Sequence, residues 1–157
     1  MKVLFVCCGN ICRSVSGQYI LQNLVNQRNL KELYLIDSAG ISSEESGNPI
    51  YPPMKSALER EDIPIGNHHA RQLRKTDYDD YDLLIGMDRE NLLNLRNMYD
   101  GDPENRIHLL MEYTDHPDKE IDDPWYTGRF TECVRLLKEG CEGLLAYLER
   151  QRKSGSH

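Results

Sequence analysis

Short apolar segments alternate with longer helical patterns along this chain, and the alternation restricts the fold more than any other feature of the sequence. The first apolar segment, KVLFVC, is rich in residues that favour extended structure, and a helical pattern follows it after a short loop. Strands are predicted over residues 2–7, 33–40, 81–87 and 106–110, and helices over residues 14–28, 54–62, 88–98 and 131–151. Strands that alternate with helices predict an α/β fold with a parallel sheet.

The composition is that of one globular domain, and it argues against several classes of protein. The chain has 157 residues, of which 39% are hydrophobic and 29% are charged. Its net charge of −7 argues against a general nucleic-acid-binding protein, and no apolar run reaches the roughly 20 residues of a membrane span. We expect one domain over residues 1–151 and a flexible or appended tail over residues 152–157.

The beginning of the chain and its cysteines indicate a cytoplasmic protein. The apolar run VLFVCC is short for a secretory signal peptide, and no small-residue cleavage site follows it. The chain has five cysteines, an odd number, and three of them are crowded into residues 7–12. This pattern is not typical of a secreted disulfide framework.

The loop CCGNICR, residues 7–13, has the features of an anion-binding loop. It follows the first strand and precedes the first helix, and ligands of parallel sheets bind at the carboxyl ends of the strands. Backbone N–H groups and the helix dipole favour an anion there. Gly9 permits conformations that other residues resist, and Asn10 tolerates a positive φ. Arg13 supplies a planar fork that matches two phosphate oxygens.

The same loop also presents a nucleophile. A positive field of this kind favours the thiolate form of a cysteine, which is the nucleophilic form. Cys7 lies at the end of the first strand, and Ser14 is placed to donate a hydrogen bond to it. The loop is therefore predicted both to bind a phosphate group and to present a thiolate to it.

Other interpretations of the cysteines are less consistent with the sequence. For Cys8 or Cys12 alone, the role of a small buried hydrophobic residue is the simpler interpretation. A zinc site needs four ligands, and Cys133 and Cys141 fall on an apolar helical face. The loop also lacks the lysine and the glycines of a nucleotide-binding P-loop.

The loop contains the C-x5-R-S signature of cysteine-dependent phosphatases, in which Cys7 is followed by five residues and then by Arg13 and Ser14. Further motifs along nearly the whole chain are VLFVCxGNICRS at the start, DSAG at 37–40, HxARQL at 68–73, MDxxN at 87–91 and DPWY at 123–126. With these motifs the chain resembles the low-molecular-weight protein tyrosine phosphatases. The resemblance implies a Rossmann-like, four-stranded parallel sheet with helices on both faces. It also implies hydrolysis of protein phosphotyrosine through a cysteinyl-phosphate, with no metal or other cofactor, by a monomer or weak dimer.

The resemblance also assigns the site residues. The implied catalytic residues are Cys7, Arg13 and, as the general acid, Asp123. The implied phosphate-binding residues are Cys8, Gly9, Asn10, Ile11, Cys12 and Arg13. The polar network that braces the loop matches Asn10, Ser14, Ser38 and His68. The substrate cleft is expected to contain Glu44, Trp125 and Tyr126. Relatives can join the pair equivalent to Cys7 and Cys12 under oxidation, which makes Cys12 the expected redox partner.

Three other stretches are interpreted as structural. Asp88 is expected to cap a helix, with Asn91 in its first turn. The acidic stretch DYDDYD, residues 77–82, is interpreted as solvated chain that leads into a strand, and DDPWYTGR, residues 122–129, as a loop. Without the resemblance, Asp123 would be an ordinary residue of an acidic turn.

Three alternative functions fit the sequence less well than phosphotyrosine hydrolysis. Thioredoxin-coupled arsenate reductases use two further cysteines near the third strand, and residues 76–98 contain none. Protein arginine phosphatases carry threonine where this chain has Ile11. A non-enzymatic phosphate-binding or redox-sensing module would not need the intact set of Cys7, Arg13 and Asp123.

Overall fold

The centre of the molecule is a four-stranded sheet in which every strand is parallel. The computed structural model describes residues 1–155, and within them the sheet has the order β2-β1-β3-β4. The strands are β1 (Lys2–Cys7), β2 (Leu35–Gly40), β3 (Leu83–Gly86) and β4 (Ile107–Leu109). The helices are α1 (Arg13–Gln27), α2 (Pro52–Arg60), α3 (Asp77–Asp80), α4 (Arg89–Met98), α5 (Pro124–Thr127) and α6 (Phe130–Ser154). The predicted α/β fold is therefore confirmed.

Helices cover both faces of the sheet, and β1 is therefore buried on both sides. Its side chains alternate, so Val3 and Phe5 pack into one apolar core while Leu4 and Val6 pack into the other. The first core contains α1, α2 and α6, and the second contains α3 and α4. The near-continuous burial of β1 is the pattern expected of a central parallel strand.

The long helix α6 approaches the short helical turn Leu110–Tyr113 closely. A Cβ atom added to Gly143 would lie 2.2 Å from the Tyr113 carbonyl oxygen, and one added to Gly140 would lie 2.5 Å from Leu110 Cγ. Both positions therefore need glycine for packing, although glycine weakens a helix.

The observed bounds of β2, β3, β4, α1, α2 and α4 differ from the predicted ones by at most two residues, and three larger differences remain. The stretch 122–129 is not entirely loop, because α5 forms within it and is capped by the Asp123 side chain. Residues 77–80 form α3, and Asp77 is fully buried rather than solvated. Helix α6 continues three residues past its predicted end, to Ser154, while residues 156–157 of the predicted tail lie outside the described residues.

The parallel arrangement places the ends of β1, β2 and β3 at one edge of the sheet. The segments that follow these strands begin at Cys8, Ile41 and Met87 and therefore meet above the same edge. No helix within residues 1–155 is long and apolar enough to cross a membrane.

Candidate active site

The loop between β1 and α1 curls over the carboxyl end of the sheet. Asn10 has a φ of 60°, the left-handed conformation that the sequence allows at this position. Backbone hydrogen bonds hold the loop from outside, since Ile41 N donates to Cys7 O and Tyr51 N donates to Ile11 O. Helix α1 begins at Arg13, so its N-terminus adjoins the loop, as predicted.

Cys7 lies beneath the loop and contacts Ser14. The Cys7 Sγ and Ser14 Oγ atoms are 3.0 Å apart, and Ser14 N donates to the same sulfur at 3.4 Å. Asn10 Nδ2 donates to Ser14 Oγ at 2.9 Å. Because Asn10 occupies an acceptor site of the serine oxygen, the serine proton is free to be donated to a thiolate at Cys7.

His68 and Ser38, two predicted members of the polar network, have different side-chain hydrogen-bond partners, and only the His68 side chain bonds to the loop. His68 Nε2 lies 2.7 Å from Asn10 O, so this nitrogen carries a proton and donates it to the carbonyl. Burial lowers the pKa of His68, which favours the neutral ring. Ser38 does not brace the loop through its hydroxyl proton, because it donates to Gln18 Oε1 on α1 at 2.6 Å.

Arg13 is 2% exposed, and its guanidinium is oriented by three groups. Nη1 donates to Asp88 Oδ2 at 2.7 Å and to Ile121 O at 2.8 Å. Nη2 lies 3.6 Å from Asp123 Oδ2. Within residues 1–155, Arg13 Nε is the one buried side-chain nitrogen or oxygen without a hydrogen-bond partner. A buried N–H of this kind is costly unless a ligand accepts its hydrogen bond.

Asp123 lies across the cleft from the loop at the start of α5. Its Oδ1 accepts from Trp125 N at 3.0 Å, which caps the short helix, and its Oδ2 faces Arg13. Pro124 occupies the first position of this helix, where its missing N–H costs nothing. The carboxylate is thus held at the cleft while its side chain stays 24% exposed.

One cleft contains all three predicted catalytic residues. Its lining consists of Cys7, Cys8, Gly9, Ile11, Cys12, Arg13, Ser42, Glu44, Glu45, Asp123, Trp125 and Tyr126. Trp125 is 51% exposed and Tyr126 is 85% exposed. The Trp125 ring packs against Tyr51, with the ring centroids 4.6 Å apart, and so forms one wall of the cleft.

The cysteines around the site differ in environment. Cys8 is exposed, whereas Cys12 and Cys133 are buried. Burial raises the pKa of Cys12 strongly and raises that of Cys133 to about 12, so both thiols are protonated at neutral pH. No three His, Cys, Asp or Glu side chains within the described part of the chain are grouped so as to hold a metal ion.

Several contacts of the site are absent from the sequence predictions. Ser42 and Glu45 line the cleft, and nothing in their sequence context indicates this. Asp88 caps α4 as predicted, since Oδ1 accepts from Asn91 N, but its other oxygen orients Arg13. A signal for that second role exists, because Asp88 follows β3 and the carboxyl ends of β3 and β1 share one edge.

Comparisons with known proteins identify the family. The family model for low molecular weight phosphotyrosine protein phosphatases matches residues 2–154. The protein-tyrosine-phosphatase YfkJ of Bacillus subtilis is 39% identical over 154 residues, which are 98% of this chain and 99% of the relative. The human low molecular weight phosphotyrosine protein phosphatase is 36% identical over 145 residues, which are 87% of this chain and 91% of that protein.

Solved structures agree with the sequence relatives. The crystal structure of YfkJ superposes with a TM-score of 0.93 and covers 96% of both chains at 39% identity. A Drosophila arginine phosphatase superposes with a TM-score of 0.85 at 33% identity, over 94% of this chain and 98% of that one. Sequence and structure both place this hydrolase in the low molecular weight phosphotyrosine protein phosphatase family.

Proposed function

We propose that the protein hydrolyses phosphotyrosine in proteins, and also small aryl phosphates, through a cysteinyl-phosphate intermediate. The observation that supports this most directly is the buried, unpartnered Nε of Arg13 in the cleft that Cys7 and Asp123 also line. An oxyanion that accepts from Nε and from the loop amides would satisfy this donor. The phosphorus atom would then lie above the Cys7 sulfur.

In the first step of the proposed reaction, the Cys7 thiolate attacks phosphorus and the bond to the tyrosyl oxygen breaks. Asp123 donates its proton to the departing oxygen, so a neutral phenol leaves. Arg13 and the loop N–H groups stabilise the charge on the three remaining phosphoryl oxygens. The Ser14 hydroxyl stabilises the thiolate before the attack.

In the second step, water attacks the cysteinyl-phosphate and the S–P bond breaks. The Asp123 carboxylate accepts a proton from the water, inorganic phosphate leaves, and Cys7 is again a thiolate. Trp125 and Tyr126 offer aromatic surface to the substrate ring. The cytoplasmic location, the monomer or weak dimer, and the absence of nucleic-acid and membrane partners stay predictions.

The nucleophile is tested by comparing the wild type with Cys7→Ser on matched phosphotyrosine, phosphoserine and phosphoarginine substrates. We expect turnover of phosphotyrosine by the wild type only, while the variant still binds phosphate or vanadate through Arg13 and the loop. Turnover of phosphoarginine alone would replace the proposed substrate, an alternative that the similarity to the Drosophila arginine phosphatase motivates. Near-wild-type activity of Cys7→Ser would reject the nucleophile.

The general acid is tested by Asp123→Ala. We expect kcat to fall by about 10²–10⁴-fold for substrates with poor leaving groups. Activated aryl phosphates should lose less, since their leaving groups need little protonation. Asp122→Ala is the matched control, and a larger leaving-group effect there would move the acid by one residue.

A further inference from the structure

Residues 68–73 support Asn10 with two hydrogen bonds that approach it from different sides. His68 Nε2 donates to the Asn10 carbonyl at 2.7 Å, and Arg71 N donates to Asn10 Oδ1 at 3.0 Å. Asn10 is fully buried and left-handed, so these bonds fix both its backbone and its amide plane. The remaining amide group, Nδ2, is thereby directed at Ser14 Oγ.

Residues 68–73 are held in turn by the buried carboxylate of Asp77. Asp77 has no exposed surface and accepts from Arg71 Nη1 at 3.0 Å and from Arg71 Nη2 at 3.2 Å. It also accepts from Arg74 N at 2.6 Å. A carboxylate without water is stable only where such charge-assisted bonds replace its hydration, and the bidentate pair fixes the guanidinium in one plane.

The end of β2 forms hydrogen bonds with the same segment and also contacts the loop. Gly40 N donates to Arg71 O at 2.8 Å, and Leu73 N donates to Gly40 O at 2.7 Å. A Cβ atom on Gly40 would lie 2.9 Å from Cys8 O, so the strand end and the loop are in direct contact. The Arg71 backbone is thus held between the end of β2, through its carbonyl, and Asn10, through its N–H.

We propose that Asp77 is a positioning residue for the phosphatase reaction, acting through Arg71, Asn10 and Ser14 on Cys7. Asp77 does not line the cleft and touches no reacting atom, so it is not a catalytic residue. Its carboxylate fixes Arg71, whose amide orients the Asn10 side chain, which in turn directs the Ser14 hydroxyl at the sulfur. The inference rests on the proposed role of Cys7 as the nucleophile.

The test variant is Asp77→Asn, which keeps the size of the side chain and removes its charge. We expect kcat to fall by about 10- to 100-fold, the scale of a small misplacement of reacting groups. The inhibition constant of inorganic phosphate should change by less than about 3-fold, because Arg13 and the loop amides are untouched.

A second readout needs no turnover. The rate of Cys7 alkylation by iodoacetamide, located by tandem mass spectrometry, is followed against pH. Loss of an oriented hydrogen bond to the thiolate should move this profile to higher pH. The charged or titratable side chains that line the same cleft as Cys7 are Arg13, Asp123, Cys8, Cys12, Glu44, Glu45 and Tyr126. None of them changes in the variant.

Asp102→Asn is the matched control for loss of stability. The Asp102 carboxylate accepts from Tyr78 Oη at 2.6 Å, from Arg106 N at 2.7 Å and from Ile107 N at 3.1 Å, and none of these donors contacts Asn10. The control should lower Tm while kcat and the alkylation profile stay at wild-type values. Asp77→Asn should change all three.

A lower Tm for Asp77→Asn with unchanged kcat and unchanged alkylation would overturn the proposal, since Asp77 would then be purely structural. If Asp77→Asn does not fold, Arg71→Lys tests the same connection, because it keeps the charge and the backbone N–H but loses the bidentate fork. A wild-type protein without phosphatase activity would contradict the proposed function instead, and the alkylation profile would still decide the positioning role.

Discussion

At the scale of single residues, Arg13 shows why charge alone does not explain the site. Asp88, Ile121 O and Asp123 together fix the plane of the guanidinium, and this orientation leaves Nε directed at no protein acceptor. The sequence predicts that an arginine is needed, since C-x5-R is a local pattern. The partners that orient it lie 75 to 110 residues away along the chain, and no local pattern reports them.

Arg13→Lys should weaken binding of phosphate and vanadate by about 10- to 100-fold, although the charge is retained. Lysine is a point donor and loses the paired hydrogen bonds, each worth about 1.5–3 kcal/mol when a charged group takes part. Calorimetric titration with vanadate measures the effect. Cys7→Ser is the control, and equal affinities in the two variants would contradict the orienting role of the fork.

Glu44 and Glu45 give the rim of the cleft a negative charge, and Arg13 is the only cation among the lining residues. We expect the enzyme to cleave phosphotyrosine peptides with flanking lysines about 2- to 30-fold faster, in kcat/KM, than peptides with flanking glutamates. This range corresponds to two exposed ion pairs of about 0.2–1 kcal/mol each, and it should shrink as salt is added.

The variant Glu44→Gln/Glu45→Gln should lose most of this preference. Glu32→Gln/Glu59→Gln makes the same change in net charge with exposed glutamates that do not line the cleft, and it should keep the preference. Each variant is compared with its own rate on a small aryl phosphate. Equal losses in the two variants would assign the preference to net charge instead of the rim.

At the scale of elements, the loop between β1 and α1 brings three thiols to one cleft. Cys7 and Cys12 both line this cleft, and all three loop cysteines are free thiols. Mild peroxide should convert the Cys7 thiolate to a sulfenic acid, which condenses with the Cys12 thiol and releases water. The resulting disulfide should inactivate the enzyme reversibly.

Cys12→Ser should stay active but lose activity irreversibly in peroxide, because nothing then captures the sulfenic acid before further oxidation. The wild type should recover with a thiol reductant, and bound phosphate should protect it. Cys8→Ser is the matched control, and peptide mass mapping identifies the bond. A dominant link to Cys8, or full recovery of Cys12→Ser, would show that Cys8 is the partner instead.

Elements with a strong local pattern could be predicted, and those formed by distant contacts could not. The prediction for β1 matches its observed bounds because six apolar or extended residues come before a glycine turn. The turn α3 is four residues long, and its first residue, Asp77, pairs with Arg71, a contact that no local sequence pattern predicts. A run of acidic residues is usually solvated, so the sequence around Asp77 gives no sign of its burial.

At the scale of the whole molecule, α6 is attached to the amino edge of the sheet by Glu149. Its carboxylate pairs with Arg152 on the same helix and accepts from the Tyr34 hydroxyl just before β2. These partners, Arg152 first, lower the pKa of Glu149 from an ordinary value of 4.5 to about 2. A lowered folded-state pKa stabilises the fold above pH 4.5, and that stability is lost as pH falls from 4.5 toward 2.

Glu149→Gln should therefore lower Tm at pH 6 and reduce the dependence of Tm on pH below 4.5. Scanning calorimetry between pH 2 and 6 measures both effects. The matched control is Glu142→Gln, because Glu142 is also on α6 but its ion pair, with Arg28 after α1, is exposed. This variant should leave the acid dependence of Tm close to that of the wild type. An unchanged slope for Glu149→Gln would show that other carboxylates set the acid stability.

The parallel direction of the strands has a practical consequence for handling the molecule. Met1 lies at the amino end of β1, where its ammonium group donates to Leu33 O, and the last turns of α6 lie beside Tyr34 at the same edge. The cleft opens at the opposite edge, beyond Cys7. A bead, a fluorophore or a fused protein attached at Met1, or at an exposed residue of the last turns of α6 such as Gln151, would therefore leave the cleft facing outward and open to bulky phosphoproteins.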